Sequence, residues 1–111
     1  MGIEMIYEAC QEAGIPILSL DKCCRLLAIV YVMGGSMEAF THNTRLVAEW
    51  RYAQHRCNIY EGRVPDKEAL TLIRKYVSEL ESYYEGRSSE TEHPRWVMDI
   101  MARYGIHDMM I

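Results

Sequence analysis

The sequence predicts an all-α fold: a compact bundle of four to five helices around a nearly all-apolar central helix at about residues 20–33. Three observations lead there. Apolar residues recur at intervals of three and four in several separate segments. Glycine or proline stands at the border of each segment. From Cys23 to Met33 only Arg25 carries charge, so this stretch has no face to keep in water, yet it falls far short of the ~20 apolar residues that span a bilayer. A short, all-round apolar element belongs inside a globular core.

The elements follow in order. Ile3, Ile6, Tyr7, Cys10 and Ala13 share one helical face and Glu4, Glu8 and Glu12 another, a pattern stopped by Gly14 and Pro16. Ser19 is placed to cap the apolar helix, with Asp21 in its first turn. Ile29, Val30, Tyr31 and Val32 also favour a strand. With no second strand to satisfy its backbone, helix is the preferred assignment. After Gly34 and Gly35, Ser36 can open a short turn reaching Phe40, and Thr41 or Asn43 can restart the helix. Leu46, Trp50, Ala53, Cys57 and Tyr60 then form a stripe that Gly62 ends. Pro65 opens the next helix, with Asp66 and Glu68 close behind. Its stripe is Ala69, Leu70, Ile73, Tyr76, Val77, Leu80 and Tyr84, and Gly86 closes it. A polar stretch over residues 87–93 leads to Pro94 and a last helix with Trp96, Val97, Ile100, Met101 and Tyr104 inward, capped by Gly105.

The 111 residues suit one domain, 1–111, and half of them are hydrophobic, which sets the chain apart from disordered sequences. The beginning lacks the basic region and apolar run of a secretory signal, and Ile6 stands where myristoylation wants Ser or Thr. The expectation is a soluble, cytoplasmic protein without membrane attachment. Cys10, Cys23, Cys24 and Cys57 fall in apolar helical patterns and lack paired C-x-x-C spacings, so they read as reduced core thiols. No metal or other cofactor is expected. Glu38 and His42 lie one turn apart, but the second such pair that a di-metal bundle requires is absent from the sequence.

The formal charge is −4, unevenly spread. Residues 45–63 carry Arg45, Arg51, Arg56 and Arg63 against Glu49 and Glu61, a local +2. Arg45, Glu49, Tyr52 and Arg56 fall on one helical face, with Arg51 and Arg63 adding charge nearby. Arginine and tyrosine dominate interaction hot spots, so Arg45, Arg51, Tyr52, Arg56 and Arg63 form the candidate binding site. The same face would serve a nucleic-acid binder through charge and stacking. No nucleophile elbow, phosphate-binding glycine loop or dinucleotide fingerprint occurs in the chain. His55 and Cys57 point to different sides of a helix and so make no nucleophile–base pair. The apolar residues Ile106, Met109, Met110 and Ile111 form a tail that would dock on its own core or on another chain.

Arg87 and His93 stand six residues apart before the last helix. That spacing, in an all-helical chain of this size, resembles the HEPN ribonucleases. Ser88 takes the polar place after the arginine, whereas Arg95 stands where the family has an aromatic, with Trp96 next. The resemblance implies RNA cleavage across a dimer groove, with His93 as general acid or base. Three functions thus stand as expectations. The first is a non-catalytic protein-interaction module (regulator, inhibitor or adaptor) with a protein partner, plausibly a homodimer through the tail or the Trp50 helix. The others are a HEPN-like ribonuclease using Arg87 and His93, and a nucleic-acid binder using the residue 45–63 face.

Overall fold

The computed structural model describes residues 18–32, 43–87 and 92–106, which contain four α-helices and no strand. The helical pattern at 3–13 with Cys10, the turn at 36–40, the Glu38 and His42 pair and the tail at 107–111 lie outside the described residues. None of the described helices is long and apolar enough to cross a membrane.

Helix α1 (Leu20–Val32) starts where Ser19 can cap it, its Oγ accepting the Lys22 N–H at 3.2 Å. The helix continues through the β-branched stretch to Val32, as tertiary packing overrides strand propensity. It packs against both α2 and α3. Its buried residues include Cys23, Cys24, Ala28 and Ile29, whereas Lys22 and Tyr31 stand in solvent.

Helix α2 (Thr44–Arg56) is capped by Asn43, whose Oδ1 accepts the Leu46 N–H at 3.1 Å. It ends earlier than the stripe through Tyr60 predicts. Cys57 closes the last turn onto Ala53, and Asn58 then takes a left-handed conformation at φ 56°, which asparagine tolerates better than other side-chain-bearing residues. Ile59 and Tyr60 therefore belong to a loop, which the Asp66 N–H closes onto the Cys57 carbonyl at 2.9 Å.

Helix α3 (Lys67–Tyr84) is capped by Asp66, whose Oδ1 accepts the Ala69 N–H at 2.9 Å. Gly86 follows at φ 73°, a conformation that closes a helix at little cost only for glycine. Asp21 on α1 meets Tyr76 on α3, while Cys24 further along α1 meets Ala69 earlier on α3, so the two helices run antiparallel. Helix α4 (Arg95–Arg103) buries Val97 and Met101, with Tyr104 buried just after it.

The core is unusual in how many of its fully buried positions are small. Cys23, Cys24, Ala28, Ala53, Cys57 and Ala69 have no exposed surface. Cys24 Sγ lies 3.5 Å from the Ala69 carbonyl and 4.0 Å from Cys57 Sγ, so α1 sits almost on the α3 backbone. These described thiols are free. Burial pushes Cys23 and Cys24 up to about 12 and Cys57 up to about 11, which keeps all three protonated and unreactive near neutrality.

Overpacking the seam should be costly. Ala69→Leu is expected to destabilise the fold by about 1–3 kcal/mol despite its greater hydrophobicity. Val64→Leu, at a residue 83% exposed, should leave the thermal midpoint within a degree or so. The thiols give a second expectation. Because their folded pKa values lie above the ordinary 9.0, their contribution to stability is complete below pH 9 and is lost as pH rises toward 11–12. Denaturant titrations at pH 8, 9.5 and 11 should show that decline. At pH 8 the native Cys23, Cys24 and Cys57 should resist iodoacetamide, read by peptide mass spectrometry.

Candidate interaction surface

The arginine-rich helix α2 does not present its predicted face to solvent. Glu49 is only 1% exposed and Tyr52 is buried with the core, so the middle of the line from Arg45 to Arg56 turns inward, while Arg56 stays exposed. The cause comes from α4. Arg103 Nε donates to Glu49 Oε1 at 2.9 Å and Oε2 at 3.3 Å, and its Nη2 also donates to Oε1. A carboxylate taken out of water costs several kcal/mol unless paired and hydrogen-bonded, and this fork supplies both. In return, the Glu49 hydrogen bonds hold the Arg103 guanidinium still more firmly protonated, against its own burial. Arg45 closes in from one turn earlier, with Nε 3.5 Å from Glu49 Oε2. Nearby, Asn43 Nδ2 donates to the Tyr104 carbonyl at 3.1 Å, so the start of α2 is tied to the end of α4.

The consequence is electrostatic. One buried carboxylate shared by Arg45 and Arg103 leaves a net positive charge, and Glu49 no longer offsets its neighbours at the surface. Arg51 stands two residues from Glu49, about 200° round the helix, on the outer face. His55 follows one turn later on that same side. The His55 ring lies 4.5 Å from the Tyr60 ring, and the Arg63 guanidinium lies 5.5 Å from the Tyr60 centroid. Arg51, His55, Tyr60 and Arg63 thus form a cation–aromatic strip, with Arg56 exposed at the last turn of α2. Of the predicted residues, Arg51, Arg56 and Arg63 are exposed, whereas Arg45 is half-buried beside Glu49 and Tyr52 lies in the core. His55 and Tyr60 were missed, because their meeting depends on the early end of α2 at Arg56 and the turn at Asn58.

Two further polar clusters are tied internally. The Tyr76 hydroxyl donates to Asp21 Oδ1, and Arg25 Nε donates to Asp21 Oδ2 at 2.8 Å. The Tyr76 hydrogen bond, with Arg25 beside it, holds the Asp21 carboxyl below its ordinary range. The Arg25 guanidinium lies 4.4 Å from the Tyr76 ring and 5.0 Å from Trp96, joining α1, α3 and α4. At the ribonuclease-like pair, Arg87 Nη1 donates to the Tyr83 carbonyl at 2.6 Å and Nε lies 3.5 Å from Glu92. His93 Nδ1 shares a hydrogen bond with the Tyr84 hydroxyl at 2.9 Å, and its Nε2 is buried. Both side chains are engaged locally, and residues 88–91 between them lie outside the described set. No group of three His, Cys, Asp or Glu suited to a metal occurs among the described residues.

A second surface is apolar. A cleft of about 640 Å³ opens between α1, α3 and the loop after α2, lined by Leu27, Val30, Tyr31, Ile59, Ile73 and Val77 among others. Tyr31 at its edge is 73% exposed. The volume falls in the range of ligand-sized clefts. Ile59 reaches it because the helix has already ended.

No protein-family model, no curated protein and no solved structure matches this chain.

Removing one partner of the buried ion pair should be far worse than removing both. Arg103→Met takes the forked partner from the fully buried Glu49 carboxylate and is expected to cost about 3–5 kcal/mol in denaturant unfolding. The double replacement Glu49→Leu with Arg103→Met should recover much of that loss, giving a large coupling energy in a double-mutant cycle.

Proposed function

We infer that this chain is a non-catalytic protein-interaction module, a regulator, inhibitor or adaptor, and that its contact surface is the Arg51, His55, Tyr60 and Arg63 strip with Arg56 at its end. The observation that supports this most directly is the burial of Glu49 beneath Arg103, which leaves the outer side of α2 with positive charge and Glu61 as the nearby exposed acid. Guanidinium groups beside aromatic rings are the common material of interface hot spots. The partner is a protein with an acidic surface patch, since carboxylates accept paired hydrogen bonds from arginine edges. A nucleic-acid partner is less favoured by the same geometry. Tyr60 already has His55 and Arg63 as ring partners, so it offers a base less area than an open tyrosine would. A cytoplasmic setting agrees with three buried thiols held reduced.

Affinity capture with the tagged full chain, followed by mass spectrometry of protein and nucleic acid, tests the assignment. Wild-type chain is expected to retain a stoichiometric protein that is lost by Arg51→Glu/Arg63→Glu, a variant whose melting temperature should match wild type. Complex formation should weaken as salt is raised. Recovery of RNA without protein, or a partner retained by the double reversal, would refute this surface.

A further inference from the structure

The cleft between α1 and α3 is self-complementary. On α3 its lining runs Leu70, Ile73, Arg74, Val77, Ser78 and Glu81, the three- and four-residue spacing of one helix face. Only two of all the residues that line the cleft are charged, Arg74 and Glu81, and they are opposite in sign. Both are exposed, and neither has an ion-pair partner among the described residues. They lie seven residues apart, about 10.5 Å along the helix, with Val77 and Ser78 midway.

This arrangement has a geometrical meaning. A two-fold axis through the midpoint lays a second α3 antiparallel on the first and brings each Arg74 opposite Glu81 of the other copy. The parallel alignment would instead set arginine against arginine and glutamate against glutamate, so the charges select one orientation and reject the other. The side chains at the axis, valine and serine, are short enough to permit close approach. Tyr31, mostly exposed at the cleft edge, is the type of residue that interfaces cover.

We propose that this face is the contact between two copies of the chain: α3 packs antiparallel on α3 of the second copy, Arg74 and Glu81 form two reciprocal ion pairs, and Tyr31 and the cleft are covered. None of the strip residues on α2 lines this cleft, so self-association and acidic-partner binding use different side chains. The opposite charges of Arg74 and Glu81, matched under the two-fold axis, select a second copy of this chain as the occupant.

The test is a charge swap, read as molar mass by light scattering after size exclusion on the full chain. Wild type should have twice the chain mass. Arg74→Glu alone sets the new carboxylate of each copy against Glu81 of the other, so dimer should be lost, and Glu81→Arg alone should lose it through facing arginines. An equimolar mixture of the two single variants should recover the dimer as a heterodimer, and the double variant should recover it by itself. Circular dichroism should show wild-type helicity throughout, since both positions are exposed. A wild-type chain of single mass, single variants that remain dimeric, or a mixture that stays monomeric would each overturn the proposal.

Discussion

The close approach of α1 to its neighbours is the constraint on which the rest of this molecule depends. Cys23, Cys24 and Ala28 on α1, with Ala53, Cys57 and Ala69 facing the same core, give a seam with almost no side-chain thickness. Cys24 Sγ reaches the Ala69 carbonyl itself. At that spacing the Tyr76 hydroxyl can bond Asp21, and Arg25 can lie against Tyr76 and Trp96 together. Larger residues in the seam would push α3 outward and break this three-helix contact. Trp96 in turn fixes the start of α4, whose far end carries Arg103 to Glu49. A run of small residues thereby decides which charges on α2 are buried and which stay outside.

The two carboxylates at the centre of this chain of contacts do different work. Asp21 is half-exposed, and its pairing with Arg25 is worth little in itself because water screens it. Its value lies in orienting Arg25 between two rings. Glu49 has no such freedom. Buried, it requires Arg103, and the pair acts as a register pin that accepts only one placement of α4 against α2. The side effect reaches the surface, because a carboxylate bound inward is subtracted from the outward charge of its helix.

Much of the fold could be read from the chain. Ser19 and Gly105 announced their boundaries through known chemistry, and Asn43 was one of two candidates with Thr41. The helix expected to open at Pro65 starts two residues later at Lys67, with Asp66 as its cap, and the inward residues of α3 and α4 followed the period of a helix. What could not be read was rotation and partnership. A helical wheel places Glu49 and Tyr52 beside the buried stripe, and whether that flank is wet depends on Arg103, 54 residues away. The strip itself was half visible. Arg51 and Arg63 were named, yet His55 and Tyr60 come together only because α2 ends at Arg56 and the chain turns at Asn58, a left-handed residue without glycine's signal. The cleft was invisible for a similar reason, since Tyr31 was assigned to the all-apolar helix and Leu70, Ile73 and Val77 to the inward stripe of α3. Periodicity reports that a residue prefers burial, and it does not report whether anything is present to bury it.

The distribution of chemistry argues for a binding role. Perturbed titratable groups that are also reachable are a common mark of catalytic sites. Among the described residues the strongest shifts belong instead to buried or half-buried side chains. The strongly shifted groups are Cys23, Cys24, Cys57, Tyr84 and Tyr104, all raised chiefly by burial. A thiol or phenol held protonated in a core is a poor nucleophile and a poor base at neutral pH. Arg51, Arg56, Arg63 and Arg74 stand exposed, each a fork of N–H donors with no acceptor. What they can do is recognise carboxylates. Both interaction proposals rest on that contrast: buried groups held neutral by the core, and exposed guanidinium groups able to meet carboxylates.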